Sequence, residues 1–157
     1  NHAVIMTEHK EALCQKIKTF LEAIGYTGFS NFDIKYDERC GEYKLFEINC
    51  RQGRSNYYVT GAGQNIARWL VEDRVRGQEL PFTITKNRSL FWVVPKRVAF
   101  DYIAPRYHQE MKALIRANAV HNPLFCPADT SFRHKLRIWK NHWRNVKLYQ
   151  QYNEKKR

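Results

Sequence analysis

Apolar residues recur at two different periods along the chain, and the change of period predicts its elements. Leu13, Ile17, Phe20, Leu21 and Ile24 stand at helical spacing, with Thr7 as a candidate N-cap and Gly25 as a stop, so the first element is an amphipathic helix over residues 8–24. Two alternating segments follow, Phe29 to Tyr36 and Tyr43 to Asn49, joined by a polar stretch containing Gly41. That pattern predicts a β-hairpin. After a polar loop, residues 64–76 place Ile66, Trp69, Leu70 and Asp73 on one helical side, and Gly77 ends the run. Leu90 to Val94 reads as a strand stopped by Pro95, and Pro105 as the start of a helix with Met111, Leu114 and Ile115 facing inward. A loop from His121 to Pro127 leads to Asp129, which is expected to cap a long final helix.

In that last helix Phe132, Leu136, Trp139, Trp143 and Val146 form one stripe, and Arg133, Arg137, Lys140, Arg144 and Lys147 the adjacent one. The simplest expectation is that the aromatic stripe packs on the domain while the cations face water. Contact with a membrane surface, or with nucleic acid, remains the alternative.

Composition narrows the class. A chain of 157 residues that is 43% hydrophobic and 14% aromatic fits one domain with an ordinary core, and the hairpin and helices read above make it mixed α+β. It has no apolar run of membrane-spanning length and no basic-then-apolar leader, so a cytoplasmic location is expected. Cys14, Cys40, Cys50 and Cys126 lie too far apart for a zinc or disulfide framework and are expected to be free thiols. The net charge of +12 is unevenly placed: residues 1–80 hold 11 Lys and Arg against 11 Asp and Glu, residues 81–157 hold 16 against 4. Two regions are expected, 1–80 and a basic, mainly helical 81–157.

The hairpin carries the chemistry. With a turn centred on Cys40, Asp33 faces Glu47, Ile34 faces Phe46 and Lys35 faces Leu45. The pleat then puts Phe32, Ile34, Tyr36, Phe46 and Ile48 on one face and Asp33, Glu47 and Asn49 on the other. Opposed carboxylates repel, so the pair calls either for a cation, with Lys35 at hand, or for a divalent metal. Two carboxylates and an amide oxygen are hard ligands that suit Mg²⁺, which commonly shares its coordination with substrate phosphates. Arg51 and Arg54 follow directly, and Gly53 between them leaves backbone N–H groups accessible. Such a loop suits a phosphorylated or carboxylate substrate.

The run Glu47-Ile48-Asn49-Cys50-Arg51-Gln52-Gly53-Arg54-Ser55, preceded by Asp33 on the neighbouring strand, resembles the metal-binding hairpin of the ATP-grasp superfamily. The stretch from Phe29 to Gly63 looks most like bacterial carboxylate-amine ligases, a group that includes the D-aspartate ligases of cell-wall synthesis. The resemblance covers residues 1–80 well and the basic half weakly. It implies the C-terminal portion of an ATP-grasp fold, with an antiparallel sheet packed by the helices of residues 8–24 and 64–76 and a helical basic extension. It also implies ATP and Mg²⁺ as cofactors, Asp33, Glu47 and Asn49 as metal ligands, and Arg51 and Arg54 as catalytic groups at the transferred phosphate; Lys35 is the candidate cofactor-binding residue. Cys50 departs from the proline common in relatives and is expected to turn to the hydrophobic face.

The implied reaction is the phosphorylation of a carboxylate by ATP, followed by capture of the acyl-phosphate by an amine. A strongly anionic amino acid or cell-wall precursor would suit the basic half. No glycine-rich phosphate loop precedes the hairpin, so the expected partner is the N-terminal, nucleotide-binding half of the same ligase, and no turnover is expected from this chain alone. The competing class is a basic nucleic-acid-binding module, for which the Asp33, Glu47 and Asn49 arrangement would have no use.

Overall fold

The computed structural model describes residues 3–126 and 128–152; Pro127, at the end of the expected loop, and residues 153–157 of the basic tail lie outside the described residues. The chain is α+β. Its elements are β1 (Val4–Met6), α1 (Glu11–Ala23), β2 (Asn31–Asp37), β3 (Glu42–Asn49), α2 (Tyr57–Gly61), α3 (Ile66–Arg74), β4 (Leu90–Trp92), α4 (Lys96–Tyr102), a 3-10 turn (Pro105–Tyr107), α5 (His108–Arg116), β5 (Val120–His121) and α6 (Phe132–Tyr152).

The strands form two sheets where one was expected. β2 and β3 make a two-stranded antiparallel hairpin, and β1, β4 and β5 make a second sheet in the order β1-β4-β5, antiparallel in the first pair and parallel in the second. The β1–β4 pairing joins Val4 to Trp92 and Met6 to Leu90, so this sheet draws on both sides of residue 80. Neither β1 nor α4 has a sequence signal, because each is too short for a period to register.

Around that sheet lies the core: Leu90, Val94, Val98, Ala99, Met111 and Leu114, with Val4, Met6, Trp92 and Ile115 packed against them. Pro95 closes β4 and caps α4, as its missing N–H permits. The Pro105 turn runs into α5, which buries Met111 and Leu114 as its periodicity predicts. α2 lies close against β5 at a glycine: a Cβ on Gly61 would stand 2.6 Å from the His121 ring.

Two expected caps are replaced. Thr7 does not cap α1, whose cap position is Lys10 with no side-chain bond. Its hydroxyl instead accepts a bond of 2.6 Å from the Ser89 backbone N–H, and its own N–H donates to the Ser89 carbonyl at 2.9 Å. At α6 the cap is Ser131, whose Oγ accepts from the His134 N–H at 3.3 Å. Asp129 sits two residues earlier, accepting from the Ser131 N–H at 2.9 Å and from the His134 ring. α3 begins at Asn65, whose side chain accepts from the Arg68 N–H, and Gly25 and Gly77 take the positive φ that their stop positions require.

The final helix turns a different face inward from the one expected. Ile138 is buried, and Asn141, His142, Asn145, Val146 and Tyr149 are half-buried, a set that advances by three and four residues. Of the expected aromatic stripe only Val146 packs on the core. Phe132, Leu136, Trp139 and Trp143 point outward.

Candidate active site

The hairpin is built by a four-residue tip, Glu38 to Gly41, held by Asp37. Its carbonyl accepts from the Gly41 N–H at 2.9 Å, its side chain receives the Arg39 guanidinium, and Gly41 has φ +68°. From the open end the register is Asn31 with Asn49, Phe32 with Ile48 and Asp33 with Glu47. These pairs fall where the turn-centred reading places them. A bulge then intervenes, and Ile34 pairs with Leu45, Lys35 with Lys44 and Tyr36 with Tyr43. The expected partners Phe46 for Ile34 and Leu45 for Lys35 are therefore each off by one residue. Phe46 is the unpaired extra residue of the bulge and is 68% exposed, where an interior position was expected.

Asp33, Glu47, Asn49, Arg51 and Arg54 line one cleft of about 620 Å³, together with Asn31, Phe32, Gly53, Ser55, Asn56, Tyr58 and Val4 and Ile5 of β1. Five of the six residues singled out from the sequence thus share one cavity. Lys35 does not: it lines a separate depression with Asp37, Arg39, Lys44 and Phe46. Lys35 is no counterion for the carboxylates either. Among the described residues neither Asp33 nor Glu47 is held in an ion pair, and neither are Arg51 and Arg54.

Asn31, Asn56 and Tyr58 were not anticipated. Asn31 stands two residues before Asp33 on the same pleat face, so the period-two rule that selected Asp33 also points to it. Its Nδ2 donates to Asp33 Oδ1 at 3.3 Å. Gly53 closes over this amide: a Cβ there would meet Asn56 Oδ1 at 2.7 Å and Asn31 Oδ1 at 2.9 Å. Tyr58, at the start of α2, has its phenol pushed above the usual range by burial. Arg51 Nη1 donates to the Gln52 carbonyl at 3.1 Å and remains exposed, as does Arg54.

The donor set fits a hard, oxygen-liking cation. Among the described residues no group of three His, Cys, Asp or Glu is gathered, so the cleft does not offer a soft or tetrahedral site. What it offers is two opposed carboxylates with amide oxygens beside them, few enough to leave coordination positions for water and phosphate. The two guanidinium groups lie on the same rim and match phosphate or carboxylate oxygens bidentately.

Cys50, expected on the hydrophobic face, is exposed just beyond β3. All four cysteines are free. The Tyr26 phenol beside Cys50 is pushed up, first by desolvation and then by contact with the thiol, and its hydroxyl donates to the Phe29 carbonyl at 2.7 Å. No helix among the described residues is long and apolar enough to cross a membrane.

No protein-family model matches the chain, and no solved structure does. The resemblance carried by the hairpin motif extends well beyond it. The chain is 42% identical over 144 residues to the D-aspartate ligase of Enterococcus faecium (strain Aus0004), a match that takes in 87% of this chain and 34% of that protein. The chain is thus similar, over most of its own length, to about a third of a D-aspartate ligase.

Proposed function

We propose that this chain is the metal- and acyl-phosphate-binding portion of an ATP-grasp carboxylate-amine ligase that joins D-aspartate to an amine of a cell-wall precursor. The observation that carries the reading is the single cleft in which Asp33 faces Glu47 with Asn49 beside them and Arg51 and Arg54 on the rim. The 42% identity to a D-aspartate ligase supports the choice of acid.

In this reading Asp33, Glu47 and Asn49 hold Mg²⁺, which supplies charge neutralisation for the phosphates of ATP. Asn31 keeps the Asp33 carboxylate oriented through the bond from its Nδ2. Arg51 and Arg54 bind the oxygens of the phosphoryl group as it passes to the carboxylate, and Arg suits that task because its fork meets two oxygens at once. The carboxylate takes the γ-phosphoryl group, ADP leaves, and an amine displaces phosphate to close the amide. Phosphoryl transfer depends on positioning and charge more than on covalent help, so no covalent bond to the protein is called for. The remaining nucleotide-binding surface is assigned to another part of the same longer protein, in keeping with the third of the relative that this chain spans.

The test is Mg²⁺-dependent ADP release by the full-length protein, supplied with D-aspartate or other amino acids and a panel of amine acceptors. Release that requires one acid and one amine, and is lost in Glu47→Ala, is expected. Undiminished release in that variant would sink the assignment of the cleft.

A further inference from the structure

The outward side of α6 is the feature of the molecule that the ligase reading leaves unused. Phe132, Leu136, Trp139 and Trp143 recur at steps of four, three and four residues, so they form one straight ridge of about 16 Å along three turns. They are exposed to 76%, 43%, 62% and 58%. The two indoles pack edge to face, with ring centroids 5.9 Å apart and planes at 70°. They therefore make one continuous apolar surface.

Beside this ridge, on the side away from the core, run Arg133, Arg137, Lys140, Arg144 and Lys147. None of the five is held in an ion pair among the described residues, and α6 itself contains no Asp or Glu. An apolar ridge flanked by uncompensated cations is complementary to a surface that is greasy inside and anionic outside. A nucleic acid would match the cations but would leave Phe132 and Leu136 without a role. A covering protein surface would have to be apolar and strongly acidic side by side.

We propose that this face of α6 docks the protein on an anionic phospholipid surface. Trp139 and Trp143 enter the headgroup boundary with Phe132 and Leu136, and the neighbouring cations meet the lipid phosphates. The helix lies in the plane of the interface, anchored on its inner side to the protein core through Ile138, Val146 and Tyr149. The proposal does not depend on the ligase reading: vesicle binding by a protein without ligase activity would leave it standing.

The test uses the full-length protein with sucrose-loaded vesicles of phosphatidylglycerol and phosphatidylcholine, or of phosphatidylcholine alone. Bound protein is read by sedimentation and by tryptophan emission. Sedimentation with the anionic vesicles only is expected, with a blue shift that disappears in Trp139→Ser/Trp143→Ser. Lys140→Gln/Arg144→Gln should weaken binding about 25-fold, since each cation near an anionic surface contributes roughly a fivefold change in affinity. All four positions are solvent-facing, and circular dichroism confirms that the variants remain folded. Absence of sedimentation with anionic vesicles overturns the proposal, as does sedimentation that neither variant changes. Binding to a single-stranded oligonucleotide without vesicle binding would make this a nucleic-acid face. Indoles at 139 and 143 already shielded from acrylamide without vesicles would show the ridge covered by the rest of the protein.

Discussion

Asp33 stands directly across the hairpin from Glu47, and no cation of the described residues is paired with either. An opposed carboxylate pair of this kind costs stability in a sheet. Glu47→Gln is therefore expected to raise the melting temperature of the metal-free protein slightly, by the equivalent of about 0.2–1 kcal/mol. The same change should lower Mg²⁺-dependent ADP release by ~10²-fold or more, as loss of a key electrostatic group does. Thermal unfolding with and without Mg²⁺ checks both halves: the wild type should gain stability from the ion, and the variant should not.

Gly53 has amide oxygens where a side chain would go. Gly53→Ala places a methyl group within 3 Å of Asn31 Oδ1 and Asn56 Oδ1, and the ends of those side chains must swing away. The fold can absorb that motion, but Asn31 then loses its hold on Asp33. A several-fold fall in ADP release with a small change in urea midpoint is expected; a large loss of stability would show that the loop, and not the amide, was displaced.

Thr7 and Ser89 tie β1 to the segment entering β4. The Ser89 N–H, in a residue only 1% exposed, donates to the Thr7 hydroxyl at 2.6 Å. Thr7→Val keeps the shape and removes the acceptor, leaving a buried donor unsatisfied at a cost of roughly 1–3 kcal/mol. Urea denaturation should show a lower midpoint with an unchanged slope.

Asp129 links pH to the start of α6. Hydrogen bonds from the His134 ring and then from the Ser131 N–H hold its carboxyl below the usual aspartate range. A carboxyl depressed in the folded state contributes stability that is fully present above its unfolded pKa and is lost as pH falls through the folded value. Helicity at the start of α6 should therefore weaken below about pH 4 in the wild type. In Asp129→Asn this part of the pH dependence should be absent, so the two ellipticity profiles differ at neutral pH and converge in acid.

Much of the hairpin was legible because its information is local. Period-two alternation selects the face of Asp33, Glu47 and Asn49, and a turn between two strands sets the pairing nearest the open end. The bulge at Phe46 leaves only a faint mark in the sequence: Tyr43 and Leu45 are one residue out of phase with Phe46 and Ile48, as an extra residue in the strand requires, but two adjacent apolar residues do not by themselves say which one is unpaired. The bulge moved Lys35 opposite Lys44 and away from the cleft. Asn31 obeys the same periodic rule as Asp33, but an amide next to a carboxylate carries no signal of its own.

The contrast is sharpest in α6. From its sequence alone follow a long amphipathic helix, a stripe of aromatic residues and a stripe of cations, all consequences of a 3.6-residue repeat acting within one segment. Which side meets the core is a different kind of question. Burial is decided by what other parts of the chain place nearby, and here they receive Ile138, Val146 and Tyr149 while Trp139 and Trp143 remain in solvent. The pairing of β1 with β4 is of the same kind, a contact between segments some 85 residues apart whose partners no local pattern names. Sequence determined the hairpin, the longer helices and the residue types of the cleft, because propensity, pleat and motif act over a few residues; tertiary structure decided the sheet shared by β1, β4 and β5 and the exposed aromatic ridge, because those depend on contacts between distant parts of the chain.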